Sequence, residues 1–326
     1  VKRIITVILA VAFLITLKFD LQAGGSSNEK CKTKHPIMLV HGFMFRDSTF
    51  GIDYWGTIPS KLEEQSAKIT RGGQNGWDSM LGGAETIWAN VNKYFIEHPE
   101  AEKLNFICHS QGAIQFRLMY AIYKDQPVRG KPFRDRVASF TSITSPLRGT
   151  NIVTFIEDAA VGIVGEANRK YVGYFIEMIA RIEGDTNPNG LGPLDMRPSR
   201  MTIINQQIKN LLGYDDLAPG KGITGVFCQS WIGRVLFPLT ADPTINIGNL
   251  ILNSYGDRPN DGVVPEASAP YAMVKGVVTG PLWGPGMGHQ AMVDRGLLGL
   301  FHGGTPGFDV PEFYVNMVAD LKAKGY

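Results

Sequence analysis

Hydrophobic and polar positions alternate in rhythm along the chain. The run "HPIMLVHGF" (35–43) is a short apolar block stopped by His41-Gly42, the pattern of a buried strand ending in a loop. Over 53–65 apolar residues return at helical spacing, with Trp55, Ile58 and Leu62 on one face. "AKIT" (67–70) reads as a short strand. Residues 78–98 predict an amphipathic helix whose stripe is Ile87, Val91, Tyr94 and Phe95. A strand over 103–110, a helix over 112–124 and a β-branched strand over 136–146 follow. Strands thus alternate with helices, which implies a largely parallel sheet covered on both faces. Sites in such sheets form beyond the carboxyl ends of the strands. His41-Gly42-Phe43, Ser110 and Ser145-Pro146 all fall at predicted strand ends and are expected on one rim.

After Pro146 the rhythm loosens. Residues 150–184 are apolar and partly helical, 185–195 are turn-rich, and 199–213 predict an amphipathic helix. Later strands are expected over 225–231 and 275–281, and a closing helix over 311–325 with Pro311 in its first turn. No linker and no repeat of 20 to 50 residues interrupts the pattern. Residues 24–326 are therefore read as one α/β domain with an inserted helical region.

The first 23 residues differ from the rest. Lys2 and Arg3 precede an apolar run over 4–17, and Leu21-Gln22-Ala23 leads into Gly24. That is the order of a secretory signal: a charged start, an apolar centre and a small residue at the cut. The run falls short of the roughly 20 residues of a spanning helix. The expectation is a cleaved signal over 1–23 and a secreted or periplasmic protein, with an uncleaved membrane anchor as the alternative. Taking Lys2, Arg3 and Lys18 from 32 basic residues and Asp20 from 30 acidic ones leaves 29 of each. A neutral mature chain gives no reason to expect nucleic acid as a partner. Export permits disulfides, so Cys31 and Cys228 are weighed as a pair, while Cys108 lies in a predicted buried strand. No Cys/His spacing reads as a zinc site.

The chemistry centres on Cys108-His109-Ser110-Gln111-Gly112, one residue away from G-x-S-x-G. That pattern is a sharp strand-to-helix turn which lifts a serine hydroxyl above a sheet. Gly112 supplies the small residue on the helix side, and Cys108 is small enough on the strand side for the turn to survive. The backbone N–H of Gln111 opens the following helix and is one expected oxyanion donor, and Phe43, after His41-Gly42, is placed to give the second. A serine also needs a base and an acid, which follow it in chain order on this scaffold. Asp257, Asp261 and Glu266 are the acid candidates in "YGDRPNDGVVPEAS", and Asp261 has the best setting, in a turn before apolar Val263-Val264. His289, in the glycine-rich "WGPGMGHQAMVD", is the favoured base and His302 its rival.

These residues also carry a family likeness. "KHPIMLVHGFMFRDSTFGIDYWGTIPSKL" (34–62), "NFICHSQGA", "SITSPLRGT" (142–150) and "RPNDGVV" (258–264) together resemble the secreted bacterial lipases of the Pseudomonas and Burkholderia type. The resemblance implies an α/β-hydrolase fold with a helical lid within about 150–213. It implies hydrolysis of lipid carboxylic esters through an acyl-enzyme. Ser110 would be the nucleophile, Asp261 the acid and His289 the base, with Phe43 and Gln111 as oxyanion donors. A carboxylesterase or phospholipase on shorter or more polar esters is the alternative, and an inactive lipid-binding module on the same fold a minor one. The implied partners are a lipid or ester substrate at an interface and a lipase-specific foldase; a monomer is expected.

Two departures from the family stand out. Its calcium site uses an aspartate matched by Asp242, but its second aspartate, two residues after the histidine, falls on Ala291. A glutamine ligand falls on Arg295. The expectation is no cofactor, a degraded calcium site, and Arg295 standing in for the ion by pairing with Asp242. The family's second disulfide cysteine falls on Ala267.

Overall fold

The computed structural model describes residues 29–43, 48–49, 52–166, 192–237, 242–296 and 305–326. The segment 1–23, His302 and much of the expected lid therefore lie outside the described residues. The central sheet has six strands: β1 (Ile37–Val40), β2 (Ile69–Arg71), β3 (Leu104–His109), β4 (Val137–Ile143), β5 (Phe227–Gly233) and β6 (Met273–Val278). Their order is β6-β5-β4-β3-β1-β2 and every pairing is parallel. Around them run α1 (Ile58–Glu64), α2 (Met80–Glu97), α3 (Gln111–Tyr123), α4 (Asn151–Val164), α5 (Pro198–Leu212), α6 (Pro243–Ser254) and α7 (Val310–Ala323).

The central strands are buried on both faces, which explains their unbroken apolar runs. Because alternate side chains point to opposite faces, Met38, Val40, Phe106, Cys108 and Phe140 pack with α2, α3 and α5. Ile37, Leu39, Ile107 and Ile143 pack instead with α1 and α7. Helix starts follow local chemistry. Ser79 caps α2 by accepting from the Gly82 N–H at 3.0 Å, and Asp309 caps α7 by accepting from the Glu312 N–H at 2.9 Å.

The helix read over 53–65 begins only at Ile58, because 54–57 form a turn with Gly56 at φ +57°. Helix α6 was not foreseen; Asp242-Pro243 starts it, and its buried stripe is Ile245, Gly248, Asn249 and Leu252. The Cys31–Cys228 bridge does not form. Cys31 packs beside α7 with Sγ 3.6 Å from the Val315 carbonyl, whereas Cys228 lies in β5 on the other face of the sheet.

One buried ion pair ties the segment that follows α5 to α3. Arg117 donates from Nε and Nη2 to Asp216 at 2.7 and 2.8 Å, and Tyr271 donates its hydroxyl to the same carboxylate at 3.0 Å. Arg117 Nη1 also donates to Asn205 of α5 at 3.0 Å. Removing one partner strands a buried charge, which costs about 3–5 kcal/mol. Asp216→Ala is expected to lower stability by that amount in a urea titration, and a midpoint equal to wild type would show that the pair is not holding α5.

Candidate active site

Ser110 sits between β3 and α3 with φ 54° and ψ −129°. Its N–H still donates to the Ile143 carbonyl at 3.0 Å, so the sheet holds the strand side of the turn. On the helix side a Cβ on Gly112 would meet the His41 carbonyl oxygen at 2.2 Å and that of Val40 at 2.7 Å. Only glycine fits there. Gly42 has the same constraint, since a Cβ would lie 2.7 Å from the Ser110 Cβ. The loop after β1 therefore presses directly on the serine. Phe43 follows, its ring edge-on to Trp77 at 4.7 Å between centroids, and lines the pocket above Ser110. Gln111 is the first residue of α3. The two expected oxyanion donors thus lie beside Ser110, Phe43 in the loop after β1 and Gln111 at the start of α3.

The later half of the chain delivers two more side chains. His289 Nε2 lies 2.9 Å from Ser110 Oγ, and His289 Nδ1 lies 2.8 Å from Asp261 Oδ2. All three residues are buried. Asp261 Oδ1 accepts from the N–H groups of Val263 and Val264 at 2.9 and 2.6 Å. Oδ2 also accepts from the Thr144 hydroxyl at 2.5 Å. The His289 N–H donates back to the Asp261 carbonyl at 3.0 Å, binding the acid and base loops together. The rival acids are engaged elsewhere: Asp257 accepts from Asn151 at 2.9 Å, and Glu266 makes a two-pronged pair with Arg234 at 2.6 and 2.7 Å.

Two neighbours had no role in the sequence reading. His109 packs its ring 4.6 Å from that of His289, and the Tyr54 hydroxyl lies 2.6 Å from His109 Nδ1. Burial, then the proximity of His289 and His41, holds His109 well below the usual imidazole range, so it is neutral. Burial pushes the Tyr54 phenol up, so it stays protonated. Thr144, at the end of β4, was read only as part of a strand. Its signal was its place at a strand end, though only its positive φ, 37°, marks it out.

Asp242 caps α6, accepting from the Thr244 N–H at 2.9 Å and the Thr244 hydroxyl at 2.6 Å. Arg295 donates from Nη1 to the Asp53 carbonyl at 2.6 Å. Ala291 offers no ligand, and no group of three His, Cys, Asp or Glu converges among the described residues. A hard divalent cation needs several oxygens, so the donor set among the described residues does not fit calcium.

A strained serine at the carboxyl edge of a parallel sheet, bonded to a histidine that is bonded to an acid, defines the α/β-hydrolase class. No protein-family model matches the chain. It is 32% identical to a triacylglycerol lipase of Pseudarthrobacter phenanthrenivorans over 284 residues, covering 74% of this chain and 85% of that protein. A triacylglycerol lipase of Burkholderia plantarii is also 32% identical, covering 74% of this chain and 75% of the relative. The chain belongs to this bacterial lipase family and is a carboxylic ester hydrolase. The fold agrees. Staphylococcus hyicus lipase superposes with TM-score 0.60 at 17% identity over 92% of this chain and 99% of its own. Lipase 1 of Pelosinus fermentans gives 0.58 at 14% identity over 89% and 99%.

All three thiols are buried, and burial pushes Cys31 up to about 11 and Cys228 up to about 12. Native protein is expected to resist a thiol reagent, and unfolded, unreduced protein to titrate all three cysteines. A single reactive thiol after unfolding would restore the disulfide.

Proposed function

We propose that the protein hydrolyses long-chain lipid esters, triacylglycerols among them, through an acyl-enzyme on Ser110. The observation that carries this reading is the unbroken chain of contacts from Ser110 Oγ through His289 to Asp261 Oδ2 at the base of an apolar pocket. Ile152, Val153, Met196 and Val263 line that pocket, a surface suited to an acyl chain and not to a charged substrate.

In this mechanism His289 Nε2 takes the Ser110 proton as Oγ attacks the ester carbonyl. Asp261 holds the imidazole with Nδ1–H toward itself and stabilises the imidazolium. The N–H groups of Phe43 and Gln111 take the oxyanion, at roughly 3–4 kcal/mol per donor in comparable sites. His289 then protonates the leaving alcohol. Water, deprotonated by the same nitrogen, releases the fatty acid and returns the proton to Ser110.

Helix α4 supports a lid. Its Ile152, Val153 and Ile156 face the pocket, yet Ile156 is 48% and the adjacent Phe155 41% exposed. An apolar helix between pocket and solvent loses little by turning toward a lipid surface. Thr150 ties its first turn to the acid loop, donating to the Val263 carbonyl at 2.5 Å. Export in a form cut after residue 23 is part of the same proposal, as is action as a monomer; the charged start and apolar run of 1–23 support the export.

Rates on p-nitrophenyl esters of increasing acyl length test the reading. Wild type should favour long chains and keep its rate in EDTA, while Ser110→Ala should lose more than about a thousandfold. Short-chain preference would make the protein a carboxylesterase, and an active Ser110→Ala would end the mechanism. N-terminal sequencing of the exported protein is expected to begin at Gly24, and a start within 1–17 would mean an uncleaved anchor.

A further inference from the structure

We propose that Thr144 is a positioning residue of this hydrolysis, whose hydroxyl holds the carboxylate of Asp261 in the plane that keeps His289 aimed at Ser110. The proposal rests on the reading of Ser110, His289 and Asp261 as nucleophile, base and acid.

Thr144 is the first residue after β4, which lies between the strand that delivers Ser110 and β5. Its backbone is in the left-handed region, φ 37°, which a β-branched residue rarely adopts. Glycine would meet that conformation without strain. A threonine persists there only when its surroundings over-determine it, and such outliers cluster at functional sites. The surroundings are explicit. The Thr144 N–H donates to the Trp231 carbonyl at 2.8 Å, extending the sheet one residue past β4. The Gly233 N–H donates to Thr144 Oγ1 at 3.3 Å. A hydroxyl has one proton, and with Oγ1 accepting from Gly233 that proton goes to Asp261 Oδ2 at 2.5 Å. This is the range of a hydroxyl donating to an anion.

The location of that bond gives it a role. An ionised carboxylate has about four acceptor positions. Here Oδ1 uses the amides of Val263 and Val264, and Oδ2 uses Thr144 and His289. Without Thr144 the oxygen facing His289 would be held only by the base it is meant to orient. The amides restrain one oxygen; the threonine restrains the other. The carboxylate is then unable to turn about its Cβ–Cγ bond, and His289 is held in the tautomer that leaves Nε2 free to accept the serine proton. The strained backbone is what points Oγ1 across the gap to the neighbouring loop.

The bond also tempers the charge that His289 feels. The groups facing His289 are Asp261, Ser110 and the ring of His109, with Arg295 lining the same pocket and Tyr54 behind His109. A donor on Oδ2 spreads the anion's charge. Losing it leaves a less solvated carboxylate, which favours the imidazolium. The acid limb of the kcat/KM profile, where the free base becomes protonated, should then move to higher pH.

The test compares Thr144→Val, Thr144→Ser and Thr144→Gly with wild type and Ser110→Ala in one ester assay across pH. Valine keeps the shape and removes the hydroxyl. Loss of a hydrogen bond to a charged group corresponds to roughly ten- to a hundredfold, expected here in kcat with KM little changed. The acid limb should move up, and serine should restore both rate and profile. A residue that merely fills space would alter the melting temperature and leave the limb in place. Should the valine variant fail to fold, the glycine variant, free of strain at φ 37°, carries the same comparison. Wild-type kcat and an unmoved acid limb in folded Thr144→Val or Thr144→Gly, with Ser110→Ala inactive, would overturn the proposal. Activity surviving in Ser110→Ala would instead overturn the reading on which it rests.

Discussion

The site depends on one strained turn. Ser110 holds φ 54°, ψ −129°, a conformation that costs an L-residue about 1–3 kcal/mol. It persists because both flanks are immovable. Strand β3 is buried along its whole length and paired on both sides, and α3 is buried from Gln111 to Ala121. The turn brings the helix start within reach of β1, so that Gly112 and Gly42 have no room for a side chain. Packing density sets the geometry that the chemistry uses: the same contacts that exclude a Cβ push the hydroxyl out above the sheet.

That constraint explains which positions need glycine and which do not. Cys108 replaces the first glycine of the usual pentad without harm because its backbone is ordinary strand, paired with Val40 and Ser142. Its side chain enters the core beside Phe106 and Phe140. The position needs a small residue, not a positive φ. The requirement at Gly112 is steric approach to two carbonyl oxygens, and no other residue meets it.

Legibility from sequence followed the same division between periodic and long-range forces. The alternation of strands and helices, and the rim that carries His41-Gly42-Phe43, Ser110 and Ser145-Pro146, could be read because burial on two faces leaves a direct imprint on residue type. Chain order narrowed the acid and base candidates, and their turn and glycine-rich settings favoured Asp261 and His289. What could not be read depends on where distant segments touch. The Tyr54–His109 contact spans 55 positions and the Thr144–Asp261 contact 117, and neither leaves a local pattern. The misplaced start of α1 came from apolar residues, Tyr54 and Trp55, that are buried by a turn and not by a helix. Asp242 caps α6, a role that its sequence setting before Pro243 supports.

The loop carrying His289 is tied to the body of the domain by its own side chains. Just beyond the histidine, Asp294 accepts from the Thr57 N–H at 2.9 Å and the Thr57 hydroxyl at 2.6 Å. Arg295 donates to the Asp53 carbonyl, and the Asp53 side chain is held by Arg71 at 2.6 Å. Both tethers end on 53–57, the segment that also supplies Tyr54 to His109. The loop is fixed by a carboxylate and a guanidinium reaching in sequence to a turn that the core already immobilises through Trp55, which is fully buried. The position of His289 over Ser110 is thereby tied to the packing of the domain.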